Sequence, residues 1–144
     1  MNGLCTVNGT DIYAEYGAFL VELSAEAHTN MDELLAMPAA KEYTAVGFRE
    51  RCGEDLPETL DVQLQPIERT LQFCIVAESE TVLRTRFKAF VSKLISGWLN
   101  IVVKGMRTYR MFYLSCDPPE WHFRDPTKKA VVLKVKFREP KPFL

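Results

Sequence analysis

The 144-residue chain has only two histidines and seven glycines. It has no long apolar run and no surplus of either charge. Each shortage excludes something. His28 and His122 are the only side chains whose ordinary pKa lies near neutrality, and they stand isolated. The glycines are scattered at turns, so no GxGxxG or Walker-type phosphate cradle forms, and GxSxG and HExxH are also absent. The four cysteines, at 5, 52, 74 and 116, contain no CxxC pair and have no zinc-ligand spacing. They are expected to be reduced, with Cys74 and Cys116 serving as small apolar groups inside strand-like runs. Eighteen basic residues against nineteen acidic ones leave a net charge of −1, which carries no overall footprint of nucleic-acid or membrane-surface binding. No run approaches the roughly 18 apolar residues of a membrane span. The opening "MNGLCTVNGTDIY" lacks the basic and apolar regions of a signal peptide. No catalytic, cofactor-binding or metal-binding residue is assigned.

The content that remains is strand-rich. In "LCTVNGTDIYAEYGAFLVELS" two short strands flank the turn signal Asn8-Gly9, Gly17 marks a bulge or bend, and Phe19–Leu23 alternates as a further strand. "TNMDELLAMPAAKEY" reads as one or two helical turns. Asn30 and Glu33 resemble a capping box, Leu34, Leu35 and Met37 form an apolar ridge, and Pro38 is the stop. Residues 27–66 form a long arm or loop with an extended candidate at Tyr43–Phe48. The acidic patch Glu50, Glu54, Asp55, Glu58 and Asp61 falls within that arm.

"TLQFCIVAES" is a strand with Leu71, Phe73 and Ile75 on one face. Ser79 then caps a helix at about 80–96, with Gly97 expected at its C′ position. Leu83, Phe87, Phe90, Val91, Leu94, Ile95 and Trp98 recur at helical spacing and are expected to be core. "WLNIVVKGMRTYRMFYLSC" is a hairpin turning through Lys104–Arg107, and its second strand is apolar on both faces. One face is expected to meet Phe87, Phe90 and Leu94, and the other a second β-layer or a neighbouring subunit. "EWHFR" gives a short strand, and "AVVLKVKFRE" gives a closing one with Val131, Leu133, Val135 and Phe137 on one face. The fold class is α+β: a mostly antiparallel split β-barrel or sandwich with one main helix packed on it, forming a single domain over 1–144.

Several of these segments, in this order, resemble siphophage distal tail proteins. "VNGTDIYAEYGAFLVE" resembles the family's opening, with a strand, an Asn-Gly turn, Asp, an apolar-aromatic pair and Tyr-Gly before a second strand. "TLQFCIVAES", "FKAFVSKLISGWLNI", "TYRMFYLSC" and "VVLKVKFREPKP" are similar to its later strands and helix. The resemblance implies the tail-tube fold and a non-enzymatic, hexameric ring between tail tube and baseplate, through which the genome passes without specific binding. The implied partners are copies of the chain itself and the neighbouring tail-tube and baseplate proteins, with no membrane contact. The implied location is the virion tail of a phage or prophage, after synthesis in a bacterial cytoplasm. Family members often carry a further carbohydrate-binding domain. Since the chain stops at Leu144, only the ring-forming part is expected, and a tube or connector position stays open. Assembly is expected through β-edge and arm exchange, with segment 50–61 facing the lumen.

Two other readings stand beside this one. One is a small carbohydrate- or ligand-binding β module that stacks its ligand on Trp121, His122, Tyr109 and Tyr113. The other is an enzyme of unrecognised type using the two histidines.

Overall fold

A computed structural model describes residues 3–22, 29–41 and 63–142. Tyr43–Phe48, the acidic patch 50–61, His28 and Cys52 lie outside these residues. The strands are β1 (Cys5–Val7), β2 (Thr10–Asp11), β3 (Ala18–Leu20), β4 (Ile67–Ala77), β5 (Leu99–Val103), β6 (Thr108–Cys116), β7 (Glu120–His122) and β8 (Lys129–Glu139). The helices are α1 (Ile12–Tyr16), α2 (Thr29–Leu35) and α3 (Glu80–Leu94).

All eight strands join one antiparallel sheet in the order β2-β1-β5-β6-β8-β4-β3, with β7 beside the first part of β8. The sheet curls into a half-barrel, so the split barrel describes it and the sandwich does not. α1 connects the two outermost strands, β2 and β3, and touches both as well as α3. This five-residue helix was not legible as one. Asp11 caps its start by accepting from the Tyr13 N–H. Gly17, expected as a bulge, ends it in the left-handed region at φ 63. A Cβ there would sit 2.7 Å from Arg86 Nη1 and 2.8 Å from the Val76 carbonyl oxygen, so glycine is required on two counts.

The concave face carries the core. Leu71, Phe73 and Ile75 of β4, Val131, Leu133, Val135 and Phe137 of β8, and Leu99, Ile101, Tyr109 and Met111 of β5 and β6 are all buried. α3 covers this face mainly along β4 and β8. The Phe90 ring sits 5.2 Å from that of Phe73 and 5.6 Å from that of Tyr16, and Phe73 packs edge-on to Phe137. Ser79 accepts from the Val82 N–H as expected.

At its C-terminus α3 departs from expectation. The cap is Ile95, whose N–H bonds the Val91 oxygen, and Gly97 lies two residues further on. Of the helical stripe, Leu83, Phe90 and Leu94 are buried and Phe87 partly so, whereas Ile95 and Trp98 are 56% and 49% exposed. Trp98 has left the helix and lies against the convex face of the sheet, its ring edge-on to Phe112 at 5.5 Å.

That convex face answers what covers the far side of the apolar hairpin. Among the described residues no second β-layer lies over it. Cys5, Cys74 and Cys116 are free thiols, the first two buried.

Candidate functional site

Two places concentrate polar or aromatic side chains. The first is the barrel mouth, where β4 begins and β8 ends, since Ile67 pairs with Glu139. β3 pairs with residues 73–75 of the long strand β4 and the flanking Gly17 and Val21 bond Val76 and Gln72, leaving the edge open from there toward the mouth. α2 fills that place. The Asn30 carboxamide accepts from the Gln72 N–H at 2.7 Å and donates to the Gln72 carbonyl at 3.2 Å, as a neighbouring strand's peptide group would. The Glu33 carboxylate accepts from the Thr70 N–H at 3.1 Å. The expected capping box is therefore not formed, because both of its side chains serve the sheet edge. The N–H groups of Thr29 and Asn30 are instead bound by the Glu22 carboxylate at 2.8 and 2.9 Å, which puts the negative charge at the positive end of the helix. Of the expected apolar ridge only Leu34 is buried; Leu35 and Met37 are 62% and 64% exposed.

The other end of α2 is held by Arg69. Its guanidinium donates to the carbonyls of Glu33, Leu34 and Ala36 and pairs with Glu139 at 3.1 Å. Arg107 reaches the same carboxylate at 2.8 Å from the β5–β6 turn. The Tyr109 ring lies against both cations, 4.0 Å from the Arg107 guanidinium carbon and 5.2 Å from that of Arg69. Its hydroxyl donates to the Leu34 carbonyl at 2.8 Å. One carboxylate, two guanidiniums and a phenol thus fix the base of the arm to the barrel. Immediately beyond, Ala40 and Leu64 form an antiparallel bridge, backed by bonds from Lys41 N–H to the Gln63 oxygen and from Gln65 N–H to the Ala39 oxygen, both 2.7 Å.

The second place is a cleft of about 620 Å³ between β7 and the turn before β8, lined by Trp121, His122, Phe123 and Asp125 among others. The Trp121 ring is flanked by Phe87 at 5.0 Å and stacked on Phe123 at 5.7 Å. Asp125 shapes the turn. It accepts from the Thr127 N–H and hydroxyl at 2.8 and 2.7 Å, and those bonds hold its carboxyl below the usual range. His122 is exposed, 4.0 Å from the Glu120 carboxylate.

The four residues of the carbohydrate reading are not brought together. Trp121 and His122 line this cleft, Tyr109 is buried at the barrel mouth, and Tyr113 faces the core. Among the described residues no group of three or more His, Cys, Asp or Glu is placed to hold a metal ion, and no helix is long and apolar enough to cross a membrane.

The sequence reading missed the Arg69–Glu139–Arg107 cluster. Arg69 and Glu139 both alternate onto the apolar face of their strands, and a charge in register with Leu71 or Phe137 was the available signal.

No family model matches the chain, and a search of curated proteins finds no match. Among solved structures, the chain is similar to the Dit (gp 19.1) protein of phage SPP1, described as a paradigm of the hub adsorption apparatus in phages infecting Gram-positive bacteria. The TM-score is 0.49 and the identity 14%, over 92% of this chain and 48% of that protein. The chain therefore spans about half that protein's length.

Proposed function

We propose that this chain is a non-enzymatic structural component of a phage or prophage tail, assembling with copies of itself into a ring of six at the junction of tail tube and baseplate. The unit is one domain with an arm at about 27–66, and its neighbours are tail-tube and baseplate proteins. The observation that supports this reading is the agreement between motif order and fold. "VNGTDIYAEYGAFLVE" holds the first strands, α1 and β3; "TLQFCIVAES" lies in β4; "FKAFVSKLISGWLNI" is α3 and its exit into β5; "TYRMFYLSC" is β6; and "VVLKVKFRE" lies in β8. Together they make one curled antiparallel sheet packed on a helix, the arrangement the resemblance implies.

Light scattering and native mass spectrometry across a concentration series test it. The expected species is six times the 16.5 kDa chain, with annular particles by negative-stain electron microscopy. A strict monomer at high concentration, both alone and mixed with tail-tube and baseplate proteins encoded beside it, would sink the reading.

A further inference from the structure

The convex face of β5, β6, β8 and β4 is segregated in charge, which the net charge of the whole chain averages away. Lys134, Lys136 and Arg138 stand at every second position of β8 and so project on one side. Arg138 pairs in register with Phe112, and Arg110 lies two residues before Phe112 on β6. Lys134 and Lys136 are exposed, as is Arg110. Among the described residues two carboxylates stand on this face, Glu120, in register with Val132 one step beyond Lys134, and Glu68. Glu68 sits 3.8 Å from both Lys136 and Arg138, with about half its side chain exposed, too loose and too wet to neutralise them. Beside the cations lie the half-exposed Trp98 ring, with the Arg110 guanidinium 4.7 Å from its centroid, and the exposed Leu114. Cations in a row along a strand, next to exposed aromatic and apolar surface, are the elements of sequence-independent nucleic-acid contact.

We propose that this face binds the phosphate backbone of DNA, without base specificity, through Arg110, Lys134, Lys136 and Arg138. Charge complementarity selects the occupant: four cations against two carboxylates, one of them at the end of the row, call for a polyanion, and the strand's two-residue step, about 6.7 Å, repeats the positive charge regularly enough to follow a polyphosphate chain. Trp98 and Leu114 supply contact for sugars and bases. The inference stands apart from the tail reading, since it depends only on the charge and geometry of one exposed face.

The test uses the full chain with a fluorescein-labelled 20-mer of DNA, single-stranded in one arm and duplex in the other, followed by anisotropy at about 50 mM salt. Micromolar binding is expected in at least one arm, and the choice of arm identifies the form of the backbone. With three or four phosphates neutralised, log affinity falls against log salt with a slope of about −2 to −4. Lys134→Glu with Lys136→Glu lowers affinity at least tenfold and flattens the slope by about 2, while Arg84→Glu with Lys88→Glu on α3 changes neither. Binding also quenches Trp fluorescence in Trp121→Phe and not in Trp98→Phe. Since the wild-type salt slope needs no variant, a folding failure leaves the test intact. The proposal is overturned by absence of binding to both DNA forms at 100-fold higher protein concentration, or by binding indifferent to the Lys134/Lys136 reversal. Displacement by polyglutamate at equal charge would also overturn it, and would assign the face to an acidic protein.

Discussion

The Arg69 guanidinium and the Glu139 carboxylate meet at 3.1 Å with 1% of either side chain exposed, and Arg107 closes on the same carboxylate from the other side. A buried carboxylate shared by two cations is worth most as the counter-charge whose loss strands both. Glu139→Gln is expected to cost about 3–5 kcal/mol, read as the shift in urea-denaturation free energy. Arg107→Gln is expected to cost nearer 1 kcal/mol, because Arg69 keeps its partner and the lost side chain is partly in water. Equal costs for the two would contradict the arrangement.

Asn30 stands in for a missing strand at the edge of β4. Asn30→Ala leaves the Gln72 N–H unpaired, while its carbonyl keeps the bond from the Val21 N–H at 3.0 Å, at an expected cost of about 1–3 kcal/mol. Hydrogen exchange should speed up at Gln72 while Val76, whose N–H is held by the Gly17 oxygen at 3.2 Å on the same edge, stays protected. Uniform loss of protection along β4 would show that α2 is not a local edge guard.

At Gly17 the two reasons for glycine separate experimentally. Gly17→Ala meets left-handed strain and a backbone oxygen at 2.8 Å, whereas Gly105→Ala at φ 85 meets open space and strain alone. About 1 kcal/mol is expected at Gly105, and distinctly more at Gly17, in paired thermal melts. Comparable losses at both positions would refute the close approach.

Cys5 offers a pH signature. Burial, with Asp11 adding to it, pushes its thiol up from 9.0 to about 12. The unfolded chain therefore gives up this proton while the folded chain still holds it, so the thiol's contribution to stability is complete below pH 9. It is lost as pH rises toward 12, at about 1.4 kcal/mol per pH unit. The difference between wild type and Cys5→Ala across that window isolates it from the other groups that titrate there. A difference flat from pH 8.5 to 11 would rule out the buried thiol as its source.

Much of this fold was legible because period-2 alternation and strong punctuation agreed. Asn8-Gly9, Ser79 and the turn at Lys104–Arg107 all sit where their chemistry placed them, and β4, β8 and α3 followed their apolar patterns. What was not legible depended on partners distant in sequence. α1 is too short to show a helical period. Asn30 and Glu33 satisfy a local cap rule, yet the open edge of β4, about 40 residues on, claims both. Trp98 continues the spacing of α3, but the helix stops first and the ring turns to the convex face. The barrel-mouth cluster was hidden for the same reason: Arg69 and Glu139 are 70 residues apart and meet only through strand pairing. The convex face was hidden by averaging, since overall net charge says nothing of where charges sit.

The bridge between Ala40 and Leu64 gives the 21 residues from 42 to 62 a common point of departure and return. With both junctions held together by the barrel, the closure entropy of whatever length of chain joins them grows slowly, by about 0.6 kcal/mol for each doubling. The sheet's register is set on either side of that closure, by the pairing of β4 with β8 from Ile67 to Ala77.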